Sequence, residues 1–139
     1  MDAKQVLVLD ASVGVKWFKN ERGREAALEI LAESASGDVT IAMPTHFVHE
    51  VLSVARRSRS AAGILPAWED MLQAGITVIP LTDEVVREAA LQCSALGCTF
   101  YDALAPACAT LLSATLVSAD ARAHGAYPGV RLIGMDTVR

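Results

Sequence analysis

Short, mainly hydrophobic segments alternate along the chain with segments of helical periodicity. The run at residues 6–9 is continuously apolar, which is typical of a strand buried on both faces, and the segments 39–42, 76–79, 115–117 and 131–133 are predicted as further strands. Between them, apolar residues recur at helical spacing over residues 12–18, 22–35, 45–55, 65–73, 83–96 and 100–112. Strands that alternate with helices predict an α/β sandwich with a mainly parallel sheet.

Polar residues at the ends of these segments predict where the helices begin and stop. We expect Ser12, Thr45, Thr82 and Thr99 to act as N-caps, and Gly97 to end the helix over residues 83–96. The buried face of the second helix is predicted to carry Ala27, Leu28, Leu31 and Ala35. The apolar face of the helix over residues 45–55 is predicted to carry Phe47, Val48, Val51, Leu52 and Ala55.

Composition restricts the class of protein. With 139 residues, 53% of them hydrophobic, the chain can fold as one domain over residues 1–139, which excludes disordered and fibrous classes. A net charge of −4 excludes coating of nucleic acid by bulk charge, so RNA could bind only through a local patch or a metal. Three cysteines without a CxxC pair fit a reducing cytoplasm. The uncharged stretch 103–119 is too short and too polar for a membrane span, and no secretory signal is visible, so we expect no membrane association.

Four acidic residues follow predicted strands or open predicted helices. Asp10 ends the first strand, two residues separate Asp120 from the segment 115–117, and Asp102 lies in the first turn of its helix. Glu50 borders the apolar stripe of the helix after the second strand, about 60° from Phe47 at 100° per residue. Ligands bind parallel sheets at the carboxyl ends of their strands, so these four acids could converge there.

Each acid also has a simpler interpretation. Asp10 and Asp120 could cap the helices that follow them, Asp102 could complete a capping box with Thr99, and Glu50 could lie on the helix surface. Together the four favour a metal site, because clustered carboxylates repel one another unless a cation neutralises them. Oxygen ligands suit Mg²⁺ or Mn²⁺, and such ions suit phosphoryl chemistry.

Five segments resemble the PIN-domain family, specifically the VapC-type toxins of bacterial toxin–antitoxin pairs. They appear in the family's order and spacing and span nearly the whole chain: VLDASV at 8–13, KWF with Glu21 at 16–21, PT with EVL at 44–52, TFYDALA at 99–105 and LVSAD at 116–120. No single motif is specific, but the ordered set is. The resemblance implies a three-layer α/β/α sandwich and a metal-dependent endoribonuclease that leaves a 3′-hydroxyl and a 5′-phosphate.

The resemblance also implies roles for individual residues. Asp10 and Asp102 match the principal Mg²⁺ ligands, and Glu50 and Asp120 match the acids that complete the site and orient the attacking water. Ser12 and Ser118 match small hydroxyl positions that support those acids. Relatives form homodimers and are silenced by a small antitoxin protein, whose contacts we expect on the apolar, arginine-bearing helices between Glu50 and Gly75.

The sequence departs from the family pattern in three places. Ser53 replaces an asparagine that often follows the helical glutamate by three residues, and Ser118 replaces a threonine while keeping its hydroxyl. Pro106 interrupts a helix that is usually continuous, and removes the hydrogen bond that residue 106 would donate to the Asp102 carbonyl. A kink there could shift Asp102.

Basic residues near the acids have two interpretations. Lys16, Lys19, Arg56, Arg57 and Arg59 could form an ordinary solvated surface, or they could hold RNA phosphates beside the acidic cavity. His46 and His49 lie near Glu50, where surface or capping positions are favoured over metal ligation. We expect Trp17, Phe18 and Trp68 to be core or partner-contact residues.

Two other functional classes remain open. A degenerate PIN-like domain could bind RNA or protein without cutting, as Pro106 and Ser53 suggest, although all four acids are retained. A receiver-type regulatory domain also has acids at strand ends, but it needs a lysine after a late strand, and this chain has no lysine after Lys19.

Overall fold

Five parallel strands form the central sheet. The computed structural model describes residues 4–135, and for Arg59 the backbone alone. The strands are β1 (Gln5–Leu9), β2 (Val39–Pro44), β3 (Thr77–Ile79), β4 (Thr115–Ser118) and β5 (Arg131–Leu132). Their order is β3-β2-β1-β4-β5, and every neighbouring pair is parallel. Leu7, Val8 and Leu9 of the central strand β1 are completely buried, which is why this strand is an uninterrupted apolar run.

Helices flank this sheet and connect its strands. They are α1 (Ala11–Gly14), α2 (Arg24–Ala35), α3 (Thr45–Arg59), α4 (Ile64–Gln73), α5 (Asp83–Leu96), α6 (Phe100–Leu112) and α7 (Ala121–His124). Short 3₁₀ turns cover Val15–Trp17 and Ala61–Gly63. The predicted α/β fold with a parallel central sheet is confirmed.

The strand order places a switch point beside β1. The chain builds β1, β2 and β3 outward in one direction and then returns to place β4 on the other side of β1. Leu9 pairs with Val117 in the parallel register, and the Asp10 amide donates to the Val117 carbonyl at 3.4 Å. The carboxyl ends of β1 and β4 therefore bring Asp10 next to Ser118, at the edge where parallel sheets bind ligands.

The buried face of α2 differs from the predicted one. Ala27, Ile30 and Ser34 face the core, whereas Leu28 is 39% exposed and Ala35 is also exposed. The prediction is confirmed for Ala27 and for Leu31, which is partly buried against the core, and it is wrong for Leu28 and Ala35. The buried Ser34 is accommodated because its hydroxyl donates to the Ala74 carbonyl at 2.6 Å. In α3 the prediction is confirmed: Phe47, Val48, Val51 and Ala55 are buried, and Leu52 is partly buried.

Two of the four predicted N-caps are confirmed and two are wrong. Thr82 accepts from the Val85 amide at 3.2 Å, and Thr99 accepts from the Asp102 amide at 3.1 Å. Gly97 ends α5 at φ +65°, in the left-handed region that glycine tolerates.

Ser12 and Thr45 lie inside the first turns of α1 and α3, whose N-cap residues are Asp10 and Pro44. Their hydroxyls make tertiary contacts instead. Ser12 accepts from the Ala119 amide at 2.9 Å, and Thr45 donates to the Ile79 carbonyl at 2.9 Å.

Helix α6 lies in the core and remains one helix across Pro106. Residues 103–109 are all buried, and the helix is assigned without a break from Phe100 to Leu112. Within residues 4–135 no single helix is long and apolar enough to cross a membrane; α5 and α6 reach that length only together, bent by 110°.

Candidate active site

One open cavity at the carboxyl edge of the sheet is lined by all four acids singled out from the sequence. It encloses about 240 Å³ and is lined by Asp10, Glu50, Asp102 and Asp120, together with Ala11, Ser12, Val15, Phe47, Tyr101 and His124. The acids come from four separate segments: the end of β1, the second turn of α3, the first turn of α6 and the residue before α7. The parallel topology brings these distant segments to one edge.

Asp10 is the most enclosed of the four acids, with 4% of its surface exposed. Its Oδ1 accepts a hydrogen bond from the Ser12 hydroxyl. Its Oδ2 accepts from the Ser118 hydroxyl at 2.9 Å and lies 3.0 Å from Nδ1 of His124. The carboxylate is therefore fixed in one orientation at the cavity wall.

The two serines also tie the ends of β1 and β4 together. The Ser12 hydroxyl accepts from the Ala119 amide at 2.9 Å, while it donates to Asp10. The Ser118 hydroxyl likewise accepts from the Asp120 amide at 3.0 Å. Each hydroxyl thus links an acid to the backbone of the β4–α7 connection, the kind of supporting contact expected for these positions.

His124 is the site residue that sequence reasoning missed. It is 3% exposed, and its two ring nitrogens contact two of the acidic residues. Nδ1 approaches Asp10 Oδ2 at 3.0 Å and Ser118 Oγ at 2.8 Å, and Nε2 lies 3.0 Å from the Asp102 carbonyl oxygen. The only sequence signal was a histidine four residues after Asp120, one helical turn away, and that spacing alone is weak.

The surroundings of His124 favour its protonated form. Burial alone lowers the pKa of the imidazole, but the hydrogen bond and charge of Asp10, followed by the Asp102 carbonyl and charge, outweigh burial and raise that pKa above its usual value. A carboxylate and a carbonyl both accept, so both ring nitrogens donate when His124 is an imidazolium. This cation offsets part of the negative charge of the site.

Glu50 lies across the cavity on α3 and has a different environment. Burial, and then repulsion from the Asp10 charge, raise the pKa of its carboxyl above the usual value. A raised pKa makes this carboxylate a better proton acceptor than an ordinary surface glutamate. Asp10 and Glu50 line the same cavity.

Asp102 and Asp120 combine capping geometry with a place on the cavity wall. The Asp102 amide is held by Thr99, and Asp120 Oδ1 accepts from the Ala123 amide at 3.0 Å. The capping interpretation is therefore correct for the Asp120 side chain. It does not exclude a functional role, because a carboxylate has further lone pairs to offer.

The donor set fits a hard cation rather than a soft one. The described cavity wall offers four carboxylates and the Ser12 hydroxyl, while His124 has both ring nitrogens engaged. Within residues 4–135 no three His, Cys, Asp or Glu side chains lie close enough to form a ready ligand set. Mg²⁺ commonly takes only one or two carboxylates and keeps several waters, so a few direct carboxylate ligands in an open cavity suit it.

The basic residues proposed for RNA contact lie in unlike surroundings. Lys16 is 8% exposed and pairs with Glu21 at 3.1 Å, and Lys19 lies 3.6 Å from the same carboxylate. Arg56 and Arg57 are exposed on α3. Arg57 follows Glu50 by seven residues, so it shares that face of the helix about 10 Å further along.

The neighbours of Glu50 on α3 are engaged elsewhere. His46 packs against Phe47 and Tyr101, with ring centroids 3.9 and 4.6 Å away, and burial followed by the charge of His49 lowers its pKa. His49 is exposed. Ser53, at the position where the family often has asparagine, donates to the His49 carbonyl at 2.9 Å within its own helix.

Solved structures of similar fold include several toxin–antitoxin proteins. A toxin–antitoxin complex from Klebsiella pneumoniae superposes with a TM-score of 0.71 at 16% identity, covering 94% of this chain and 99% of that one. VapBC2 from Rickettsia felis, bound to a DNA fragment from its promoter, superposes with a TM-score of 0.67 at 17% identity, covering 95% of this chain and 100% of that one. VapC20 from Mycobacterium tuberculosis, a sarcin–ricin loop cleaving toxin, superposes with a TM-score of 0.63 at 15% identity, covering 90% of this chain and 98% of that one.

Sequence comparison assigns the family independently of these superpositions. No curated protein matches the sequence at a significant level. The profile of the PIN domain matches residues 7–127, a segment that contains part of β1, the whole of β2, β3 and β4, and all four acids. The chain therefore belongs to the PIN domain family.

Proposed function

We propose that this protein is a Mg²⁺- or Mn²⁺-dependent endoribonuclease that acts as the toxin of a toxin–antitoxin pair. The observation that carries the proposal is the meeting of Asp10, Glu50, Asp102 and Asp120 on one open cavity, each supplied by a different segment. Membership of the PIN domain family and likeness in fold to toxin–antitoxin proteins support it.

The surroundings of each acid indicate its role in the proposed site. Asp10, fixed by Ser12 and Ser118, and Asp102 would be the principal metal ligands, and Glu50 and Asp120 would complete the site directly or through water. When bound, the divalent ion would lower the pKa of a water molecule and stabilise the leaving oxygen. Glu50 would orient the attacking water and accept its proton, which its raised pKa favours. Hydrolysis would leave a 3′-hydroxyl and a 5′-phosphate.

Contacts with RNA phosphates are assigned mainly to Arg56 and Arg57. Both are exposed on the helix that carries Glu50, and Arg57 shares its face. Lys16 could reach a phosphate only by leaving Glu21, which lies 3.1 Å away, so its contribution to binding would be smaller. These local cations would offset the net charge of −4 where the backbone approaches the cavity.

The proposed partner is a small antitoxin protein that docks on α3 and α4. Leu65 and Leu72 of α4 are 66% and 51% exposed, which offers apolar contact next to the arginines of α3. Neighbours in fold were solved as toxin–antitoxin complexes, and we extend that partner class to this chain. We further propose that the protein acts in the cytoplasm as a homodimer. Light scattering of the purified protein would test the dimer, whose mass should be twice the chain mass of 14.7 kDa.

The deciding experiment is cleavage of a total and transfer RNA pool with Mg²⁺, Mn²⁺ or EDTA. We expect wild-type protein to cut in a metal-dependent manner and Asp102→Asn to be inactive. Asp38→Asn is the matched control, because Asp38 is an exposed aspartate at the amino end of β2, on the opposite edge of the sheet. Cutting by Asp102→Asn as fast as wild type would remove that residue from the mechanism.

The alternative is a PIN domain that binds RNA or protein without cutting it. It is favoured by the Ser53 hydroxyl, which bonds to the His49 carbonyl of its own helix instead of facing the acids. Folded protein that binds Mn²⁺ but cuts none of the RNA pool would favour this alternative over the nuclease.

A further inference from the structure

Pro106 leaves one carbonyl of α6 without its helical partner. In an α-helix the amide of residue 106 would donate to the carbonyl of residue 102, but proline has no N–H. Residues 103–109 are buried, so this gap lies beside the core and not in solvent. The carbonyl in question belongs to Asp102, one of the four acids of the cavity.

His124 supplies the missing donor. Its Nε2 lies 3.0 Å from the Asp102 carbonyl oxygen, and because a carbonyl only accepts, Nε2 is the donor. The other ring nitrogen contacts Asp10 Oδ2 at 3.0 Å and Ser118 Oγ at 2.8 Å. One buried ring therefore spans the backbone of one acid and the carboxylate of another.

We propose that Pro106 and His124 act as a pair that sets the position of Asp102 relative to Asp10. The proline frees the Asp102 carbonyl, and the histidine uses it to attach the first turn of α6 to the end of β1. His124 is thus a positioning residue, because its ring acts through Asp10 and Asp102. The inference rests on the proposed metal site, since its consequence is a better ligand arrangement.

The attachment joins parts of the fold that approach only through tertiary structure. Asp10, Asp102 and His124 lie on the end of β1, the first turn of α6 and the last residue of α7. Ser118 adds a second link, because its hydroxyl contacts both Asp10 and His124. A rigid bracket of this kind holds ligands whose own helix or strand would otherwise move independently.

The test compares two neutral replacements of His124 in two backgrounds. His124→Gln keeps a donor that can reach the Asp102 carbonyl, whereas His124→Leu has none. Both remove the positive charge, so any difference between them reports the hydrogen bond and not the charge. Each is made with Pro106 and with Pro106→Ala, which restores an amide that can donate to the same carbonyl.

Mn²⁺ affinity of the purified, full-length protein, measured by titration calorimetry, is the primary measurement. With Pro106 present we expect His124→Gln to bind Mn²⁺ about tenfold more tightly than His124→Leu, a loss typical of supporting contacts around metal sites. In the Pro106→Ala background we expect the two to agree within about threefold, because the helix itself then holds the carbonyl. Urea unfolding without metal should show the same coupling in stability.

Ser34→Ala is the control for general destabilisation. Ser34 is also buried and also donates to a backbone carbonyl, that of Ala74, but it lies outside the cavity lining. We expect it to lose stability without a change in Mn²⁺ affinity. Equal Mn²⁺ affinity of the Gln and Leu variants with Pro106 present, or the same difference in both backgrounds, would overturn the pairing.

The outcomes also separate this inference from the proposed function. If wild-type protein binds no Mn²⁺, or if Asp10→Asn binds it as tightly as wild type, the metal site itself is wrong and the positioning role fails with it. If Asp10→Asn binds Mn²⁺ more weakly than wild type, but the effect of the His124 variants on Mn²⁺ affinity does not depend on Pro106, only the pairing of Pro106 with His124 fails.

Discussion

The Asp10 carboxylate contacts three side chains, and they differ in how far the sequence reveals them. Ser12 and Ser118 were predicted as supporting residues because they match small hydroxyl positions of the PIN-domain family. His124 was not predicted, because its spacing of four residues from Asp120 is a weak signal on its own. Its identity as a site residue follows from the register of β1 and β4 and the turn of α7.

Histidine titration is the first prediction at this scale. In metal-free protein we expect the pKa of His124 to lie above about 6.5 and that of His46 below it, because Asp10 holds the first ring charged and burial keeps the second neutral. Two-dimensional NMR of the imidazole nitrogens across the pH range would measure both. A His124 ring that titrates below 6.5 would contradict the contact with Asp10.

The shifted pKa values of His124 and His46 also make the stability of the protein depend on pH. Since the pKa of His124 is raised on folding, its stabilising contribution is fully present below the unfolded value of about 6.5 and is lost as the pH rises through the folded value. His46 acts in the opposite direction, because its lowered pKa costs stability as the pH falls below about 6.5. The difference in unfolding free energy between wild type and His124→Gln should therefore shrink from about pH 6 to pH 9. A constant difference would contradict this assignment.

Thiol reactivity is a separate prediction for single residues. Burial raises the pKa of the Cys108 thiol to about 11, and the residue is 1% exposed, whereas Cys93 and Cys98 are partly exposed. At pH 8 we expect a disulfide reagent such as DTNB to modify the latter two in folded protein, and Cys108 only after unfolding. Cys108→Ala should leave the number of fast-reacting thiols unchanged.

At the scale of helices and strands, the sequence predicted helix caps correctly where the cap depends only on neighbouring residues. Thr82 and Thr99 cap their helices as predicted because a cap needs only the next three residues. Ser12 and Thr45 are not caps because α1 and α3 already begin before them, and their hydroxyls contact the distant Ala119 amide and Ile79 carbonyl instead. In helix α2 the sequence predicted Ala27 and Leu31 correctly but not Ser34, which is accommodated in the core because its hydroxyl donates to the distant Ala74 carbonyl.

The Thr82 cap gives a prediction for the stability of α5. Thr82→Ala should cost about 1 kcal/mol of unfolding free energy, because the Val85 amide loses its acceptor at the start of the helix. Thr82→Ser keeps the hydroxyl and should lose much less. Urea denaturation of the two variants and wild type measures both effects, and equal losses would show that the hydroxyl is not the source.

At the scale of the whole molecule, the metal should stabilise the fold. An ion that binds only the folded protein adds about 2.7 kcal/mol at a concentration of 100 times its Kd. We expect Mn²⁺ to raise the Tm of wild-type protein and EDTA to reverse the effect. Asp10→Asn removes a principal ligand, so its Tm should respond little to Mn²⁺, while Asp38→Asn should respond like wild type. An equal rise in Tm for Asp10→Asn would place the metal elsewhere.

The sequence by itself determined the class of fold, the strands and the four acids of the cavity wall. The continuous apolar run of β1 indicates a strand buried on both faces, so Asp10 directly after it lies at the sheet edge, while the alternation of strands and helices leads the other three acids back to that edge. Family resemblance added the expected ribonuclease chemistry, which the metal-dependent cleavage assay above tests.

Only the tertiary structure decided how those acids are held. The contacts of His124 with Asp10 and Asp102, and of Ser118 with Asp10, join elements whose separation in sequence carries no periodic signal. Pro106 illustrates the difference: the sequence shows that it removes a hydrogen bond from the Asp102 carbonyl, but only the packed fold shows that His124 replaces it. Hydrogen bonds between distant segments depend on strand order and register, which form only when the whole chain packs.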